Sequence, residues 1–159
     1  NGPLESSMKM LCRDLDLQDR VTFLGARSDV AEILAQSQIF VLCTHWEGLP
    51  RSIIEAMRAG LPVIATAVAG IPELVDEGNS GLMCRPRDVE DVTNQLRALI
   101  DSPTRRVEMG RQARQRYLDH FQFDRMFART LQTYDAVVAY KAVRARRGTA
   151  SVTVAGPSP

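Results

Sequence analysis

The sequence predicts an α/β domain in which helices cover both faces of a parallel sheet. Short apolar β-type runs alternate four times with stretches of helical spacing over about 85 residues, which is the pattern of parallel strands joined by helical crossovers. Two runs, 39–43 and 63–66, are apolar without a break, as is typical of strands buried on both faces. A single α/β domain therefore accounts for most of the chain.

The first third of the chain predicts two helices and two strands. Apolar residues recur at helical spacing from Leu4 to Leu15, and Gly25 ends a β-type run at 21–24. A second helix is expected from about Asp29, and the continuous apolar strand 39–43 follows it.

A third helix is expected to begin at Pro50, because proline has no N–H to satisfy and its φ is already helical. Gly60 is expected to end this helix in the left-handed conformation that glycine adopts without strain. Strand 63–66 follows, and a turn at 70–73 leads into a short helix.

The second half predicts one more strand and three helices. The turn cluster 76–81 precedes strand 82–84, and Asp88 is placed to cap the helix that ends near 102–103. Two further helices are expected at about 104–120 and 124–145. We divide the chain into a domain at 1–140 and a disordered tail of basic and small residues at 141–159.

Length, composition and charge indicate one soluble globular domain and disfavour a nucleic-acid-binding protein. The chain has 159 residues, of which 45% are hydrophobic and 25% charged, as in one soluble globular domain. Its formal net charge is +1, but without Lys141, Arg144, Arg146 and Arg147 the remaining 16 basic residues face 19 acidic ones, a balance of −3. Nucleic-acid binding is not expected, because it requires clustered cations on a folded face.

The three cysteines predict a reducing compartment. Cys12, Cys43 and Cys84 are odd in number, widely spaced and set in apolar runs, so we expect buried free thiols rather than disulfides or a zinc site. We expect a cytoplasmic protein, and peripheral attachment to a membrane is left open.

Three loops directly follow predicted strands: 25–28, 44–49 and 67–71. Ligands of open parallel sheets bind outside the carboxyl ends of the strands, so these loops are expected to meet at one crevice. Gly48 allows a ligand close to the backbone. The N–H groups of Arg51, Ser52 and Ile53 are expected to be free at a helix start that carries partial positive charge. This arrangement suits a phosphate or a diphosphate.

Two glutamates flank the predicted phosphate site. A carboxylate repels phosphate, so Glu47 and Glu55 are better suited to accept hydrogen bonds from hydroxyl groups on either side of it. A sugar, a diphosphate and a ribose in that order form a nucleotide sugar. The alternative is that these glutamates only solvate a helix face and that Gly-Leu-Pro only marks a turn.

Glu47-Gly-Leu-Pro-Arg-Ser-Ile-Ile-Glu55 resembles the E-x7-E signature of the family-four, "group 1" retaining glycosyltransferases of GT-B fold. The resemblance extends from the first residue to about Tyr140. Four further stretches carry it: Val21–Gly25, Ser37–Leu42, Gly70–Val75 and Gly78–Leu82.

The resemblance implies a Rossmann-like three-layer α/β/α domain, the C-terminal half of a GT-B glycosyltransferase. Such an enzyme transfers a sugar from a nucleoside diphosphate sugar to a glycan, lipid-linked sugar or small molecule, as in polysaccharide biosynthesis. UDP is expected ahead of GDP or ADP, and no metal or other cofactor is expected.

The resemblance also assigns roles to residues. Glu47 would contact the donor-sugar hydroxyls as the catalytic-site carboxylate, Glu55 would hold the ribose, and Arg27 would touch the base. The remaining matches would lie along the sugar and the diphosphate: Gly48, Leu49, Pro50, Arg51 and Ser52.

The sequence departs from the family by lacking the N-terminal domain and the Arg…Lys pair that faces the donor phosphates. We therefore expect this chain to begin partway through the second domain, to bind nucleotide weakly and to transfer nothing alone. The expected partners are a nucleotide-sugar donor and the absent domain, and self-association through helix 124–145 is a further hypothesis. The alternative function is a non-catalytic nucleotide-binding module, whereas a Rossmann oxidoreductase is disfavoured because no Gly-x-Gly-x-x-Gly follows a strand. His45 is expected to be a loop residue near the crevice, and His120 a structural one.

Overall fold

A computed structural model describes residues 2–148 of the protein. Its elements in chain order are α1 (Glu5–Asp14), α2 (Val30–Ala35), β1 (Phe40–Leu42), α3 (Arg51–Ala59), β2 (Val63–Thr66), α4 (Ile71–Leu74), β3 (Gly81–Cys84), α5 (Val89–Ile100), α6 (Pro103–Arg116), a single π-helix (Tyr117–Phe121) and α7 (Phe123–Gly148).

The sheet is parallel, as predicted, and its strands lie in the order β1-β2-β3. Phe40 is level with Val63 at one end, and Thr66 is level with Cys84 at the other. Every residue of the central strand β2 is buried, which confirms the expectation drawn from its continuous apolar run.

The core has two halves, one on each face of the sheet. Alternate residues of β2 supply them, since successive side chains of a strand point to opposite faces. Val63 and Ala65 pack with α2, α3, α4 and α6, whereas Ile64 packs with α5 and another part of α6. This arrangement is the predicted three-layer α/β/α architecture.

Helix α3 is anchored by its inner face. Ile53, Ala56 and Met57 are fully buried there, and burial of an Ile or Met side chain contributes roughly 1.5–3 kcal/mol each. Its end is also fixed, because Gly60 has φ 79° in the left-handed region, as predicted. The start of α3 is consequently held at a defined place above the sheet.

Two strand predictions are wrong. Residues 21–24 form no strand in the described chain, because a strand exists only as part of a ladder and this segment pairs with none. Strand β1 is shorter than 39–43 and lies at the sheet edge, and Val41 is 38% exposed, so β1 is not covered on both faces.

Cys43 is exposed, contrary to the expectation of three buried thiols, because it follows this edge strand; Cys12 and Cys84 are buried. No disulfide links the three.

The later helices agree with the prediction except at their ends. The carboxylate of Asp88 accepts a hydrogen bond from the Asp91 N–H at 2.9 Å, which confirms the expected cap of α5. The segment predicted at 104–120 is α6 followed by the π-helix.

Helix α7 continues to Gly148, so the first eight residues of the predicted tail, 141–148, are helical. The remainder of that tail, 149–159, lies outside the described residues. Among the helices of residues 2–148, none has both the length and the apolar composition needed to cross a bilayer.

Candidate functional site

The loops that follow β1 and β2 are joined at the carboxyl edge of the sheet. The hydroxyl of Thr66 donates to the Thr44 carbonyl at 2.8 Å and accepts from the Thr44 N–H at 3.0 Å. The Thr44 hydroxyl in turn donates to the Trp46 carbonyl at 3.1 Å and accepts from the Trp46 N–H at 3.4 Å. The first half of loop 44–49 is therefore tied to the central strand.

The second half of the same loop is held by a contact between two backbones. A Cβ built at Gly70 would collide with the carbonyl oxygen of Gly48. The residue before it, Ala69, has φ 44°, a left-handed conformation that is uncommon for alanine and frequent at functional sites. Two of the three predicted loops thus meet, as expected from their positions after neighbouring parallel strands.

Helix α3 begins without a side-chain cap. The helix begins at Arg51, one residue later than predicted, because Pro50 has an extended backbone (φ −68°, ψ 108°) and is the N-cap residue. The N–H of Ile53 donates to the Pro50 carbonyl at 3.1 Å, so the prediction of three free groups is wrong for Ile53. The N–H groups of Arg51 and Ser52 have no acceptor within residues 2–148. These two donors, together with the helix dipole, leave a seat for an anion.

Two cavities flank the outer face of α3, and Glu55 lines both. A cavity of about 490 Å³ lies between α2 and α3 and is lined by Ser28, Glu55, Arg58 and apolar residues of both helices. A cavity of about 530 Å³ lies between α3, the π-helix and α7, and Leu49 and Arg51 line it with Glu55. Glu55 is exposed, so its carboxylate is available to a ligand in either cavity.

The structure brings together only some of the predicted site residues. Glu47 and Ser52 are half-buried and line neither cavity, although both stand within four residues of Pro50. Gly48 is exposed, with open space where a Cβ would lie. Pro50 is buried, which fits its role in fixing the loop against the helix.

Arg27 is engaged within its own loop. Its Nε donates to Asp29 Oδ1 at 2.7 Å, and its Nη2 donates to the other carboxylate oxygen, a bidentate pair. This pairing raises the pKa of Arg27 and holds the pKa of Asp29 below its ordinary value. The neighbouring Ser28, rather than Arg27, lines the cavity with Glu55. A ligand that uses Arg27 would have to share it with Asp29.

Three residues that shape this site are not predicted from the sequence. Thr44, Thr66 and Gly70 hold loop 44–49 in place, yet none was assigned a role beyond its strand or turn. The available signal was their position, since each follows or ends a parallel strand at the edge where the ligand was expected.

No cluster of three or more His, Cys, Asp or Glu side chains suited to a metal ion is found in the part of the chain that the structure describes.

The comparisons of this chain with known proteins agree on one family. The family model described as "Glycosyl transferases group 1" matches residues 1–116. N-acetyl-alpha-D-glucosaminyl L-malate synthase of Bacillus anthracis is 33% identical over 126 residues, which are 79% of this chain and 33% of that protein. The chain spans about a third of the length of the curated relatives that it matches.

Solved structures agree with the fold. Sucrose-phosphate synthase of Thermosynechococcus elongatus superposes with a TM-score of 0.82 at 27% identity, covering 87% of this chain and 35% of that one. HepE of Anabaena, solved in complex with UDP-glucose, superposes with a TM-score of 0.74 at 26% identity, covering 80% of this chain and 36% of that one.

Proposed function

This chain belongs to the family of group 1 glycosyl transferases, and from that premise we propose that it is the donor-binding part of a retaining enzyme that transfers a sugar from a nucleoside diphosphate sugar. One observation carries the proposal: the uncapped start of α3 is held by two anchored loops, beside a cavity lined by Glu55. A nucleotide sugar requires an anion-binding site that is flanked on both sides by groups that accept hydrogen bonds from hydroxyls.

The donor diphosphate lies against the start of α3 in this proposal. The N–H groups of Arg51 and Ser52 donate to its oxygens, and the guanidinium of Arg51 adds a full positive charge. As the glycosidic bond stretches, the leaving diphosphate gains negative charge. Donors that are already in place stabilise that charge more than they stabilise the ground state, which lowers the barrier.

The nucleoside lies on the α2 side of α3. Its ribose hydroxyls donate to the Glu55 carboxylate, and the base enters the cavity of about 490 Å³ that Ser28 also lines. The size of this cavity and its mainly apolar walls suit a planar base. HepE, one of the similar structures, was solved with UDP, so we propose a UDP-sugar as the donor ahead of a GDP- or ADP-sugar.

The sugar lies on the other side of the diphosphate, next to loop 44–49. Glu47 accepts hydrogen bonds from its hydroxyls, and the open space at Gly48 admits the ring close to the backbone. We propose that the configuration at the anomeric carbon is kept, as the E-x7-E resemblance implies.

The proposal is tested by titrating the chain with UDP, GDP and ADP by isothermal calorimetry. Glu55→Gln is expected to weaken nucleotide binding about tenfold, because a hydrogen bond to a charged group contributes roughly 1.5–3 kcal/mol and the amide retains part of it. Glu90→Gln is the matched control, since Glu90 is also an exposed helix glutamate but lies on α5. Equal losses in both variants, or no binding of any nucleotide, would refute the proposal.

We propose that the chain alone binds donor without turning it over. In this proposal the active site closes between two domains, as the GT-B resemblance implies, and the start of α3 forms only one wall of it. Incubation with UDP-glucose and sugar acceptors should release no UDP above the enzyme-free rate. Release of UDP that Glu47→Gln abolishes would contradict this statement.

The exposed stripe of α7 is the proposed contact with the rest of the enzyme. Phe123 and Phe127 stack with their ring centroids 5.9 Å apart, and apolar side chains continue along the same face at helical spacing. The stripe consists of Phe123, Phe127, Leu131, Tyr134 and Val138, all at least 46% exposed. Self-association of the isolated chain through this stripe is the second hypothesis. Sedimentation of the chain and of Leu131→Glu distinguishes them, because only self-association gives a dimer that the variant loses.

A further inference from the structure

We propose that Trp46 is a stacking platform for a pyranose ring next to Glu47, an inference that rests on the proposed function and adds a sugar-selecting residue to it. Trp46 is the only tryptophan of the sequence and is 80% exposed. It therefore contributes almost nothing to the core, although tryptophan carries more apolar surface than any other side chain.

The backbone of Trp46 is fixed while its side chain is free. Its N–H and its carbonyl both pair with the Thr44 hydroxyl, and Thr44 is tied to Thr66 of β2. Two residues later, Gly48 is packed against Gly70. The loop is thus clamped on both sides of Trp46. An aromatic ring on an ordered loop loses little conformational entropy when it binds, which is how rigid aromatic anchors act in other recognition surfaces.

The chemistry beside Trp46 suits a sugar better than an apolar partner. A pyranose has a C–H face that packs on an aromatic ring and a rim of hydroxyls that need acceptors. Trp46 supplies the ring, and Glu47, the next residue, supplies the carboxylate. A binding site of this kind combines apolar contact with a few polar groups that fix orientation. The same loop ends at the α3 anion seat, so the ring would belong to a sugar close to the diphosphate.

The pyranose has two sources, the sugar of the donor or the sugar of an acceptor, and the fluorescence of Trp46 distinguishes them. Because the chain has a single tryptophan, its emission reports on this position alone. We expect UDP-glucose, or UDP with methyl α-glucoside, to shift the emission maximum to shorter wavelength, while UDP alone gives a smaller change. A shift caused by UDP-glucose without methyl α-glucoside assigns the stacked pyranose to the donor sugar. A shift that appears only when methyl α-glucoside is present assigns it to the acceptor.

Variants test whether the ring contributes to binding. In calorimetric titrations, Trp46→Ala is expected to keep the affinity for UDP within twofold and to lose about fivefold or more in affinity for the sugar-bearing ligand. Trp46→Phe should recover most of this loss, because a phenyl ring still offers an apolar face. His45→Ala is the matched control, since His45 is exposed in the same loop. It should bind both ligands as the wild-type chain does.

Two results would overturn the inference. UDP-glucose binding that is unchanged in Trp46→Ala, with no emission change in the wild-type chain, would remove the role of Trp46 and leave the nucleotide site standing. No binding of UDP by the wild-type chain would refute the proposed function and this inference with it.

Discussion

The contact between Gly48 and Gly70 makes a prediction in which two similar substitutions have opposite effects. A Cβ at Gly70 would collide with the Gly48 carbonyl oxygen, so Gly70→Ala must push the loops after β1 and β2 apart. A Cβ at Gly48 meets nothing within 4 Å. Neither glycine has a positive φ, so alanine strains neither backbone by itself.

The magnitudes follow from these surroundings. Replacing glycine by alanine stabilises through the unfolded chain by about 0.4–1 kcal/mol at either position. At Gly70 the collision costs roughly 1–3 kcal/mol, as overpacking of a closed site does. Gly70→Ala is therefore expected to lose about 1–2 kcal/mol net, which for a chain of this size lowers Tm by about 2–8 °C. Gly48→Ala should leave Tm unchanged or slightly raised.

Ligand binding should be sensitive to Gly48→Ala, the substitution that does not lower stability. Gly48→Ala places a methyl group where the donor is proposed to approach the backbone, so UDP-glucose binding should fall at least tenfold in a chain that is as stable as the wild type. Thermal unfolding followed by circular dichroism at 222 nm and calorimetric titration with UDP-glucose make the two measurements. A Gly70→Ala variant as stable as wild type would refute this account of the loop contact. A Gly48→Ala variant that binds UDP-glucose normally would refute the proposed approach of the donor to Gly48.

Three further predictions concern the hydrogen bonds between Thr44 and Thr66, the thiols and a helix cap. Thr66→Val should lower the free energy of unfolding by roughly 1–3 kcal/mol, because both Thr44 backbone groups lose their partner, whereas Thr66→Ser should not; urea unfolding measures both. Cys43 is the exposed thiol and should react first with iodoacetamide in the folded protein at pH 8. Burial, with a smaller contribution from nearby carboxylates, raises the pKa of Cys84 to about 11 and keeps that thiol protonated. Mass spectrometry of labelled peptides measures the rates, and labelling of Cys84 as fast as Cys43 would contradict the prediction. Asp88→Ala should cost about 1 kcal/mol through loss of the α5 cap, and Asp88→Asn much less; equal losses would show that the cap is not the cause.

The sequence was most informative where local chemistry decides the structure. Gly60 ends α3 because only a left-handed residue fits there, and Asp88 caps α5 because its oxygen reaches a free N–H. Strand β2 was predicted from its unbroken apolar run, and it is buried throughout. Each of these features depends on a few neighbouring residues, so the pattern along the chain contains the information.

The sequence was least informative where a distant partner decides. Residues 21–24 have β-type composition, but whether they form a strand depends on a neighbour to pair with. The exposure of Cys43 and Val41 depends on β1 being an edge strand, which no local pattern reveals. The N–H of Ile53 was predicted to be free, yet it pairs with Pro50 through a tight turn at the helix start.

For the candidate site, the local geometry of the helix start could be predicted and the contacts between loops could not. The spacing of Glu47 and Glu55 around Pro50 indicated a phosphate site at the start of α3, and that start is uncapped. The contact between Gly48 and Gly70 and the bonds between Thr44 and Thr66 could not be predicted, because they join loops 22 residues apart.

The central claim is that the start of α3 receives a diphosphate, and amide chemical shifts measured during a UDP titration test it most directly. In ¹H–¹⁵N spectra of the chain, the largest shifts should occur at the amides of Arg51 and Ser52, with smaller ones at Gly48 and along the Glu55 side of the helix. Uridine should move the Arg51 and Ser52 amides far less than UDP does. Shifts that avoid both amides while UDP binds elsewhere would contradict the account.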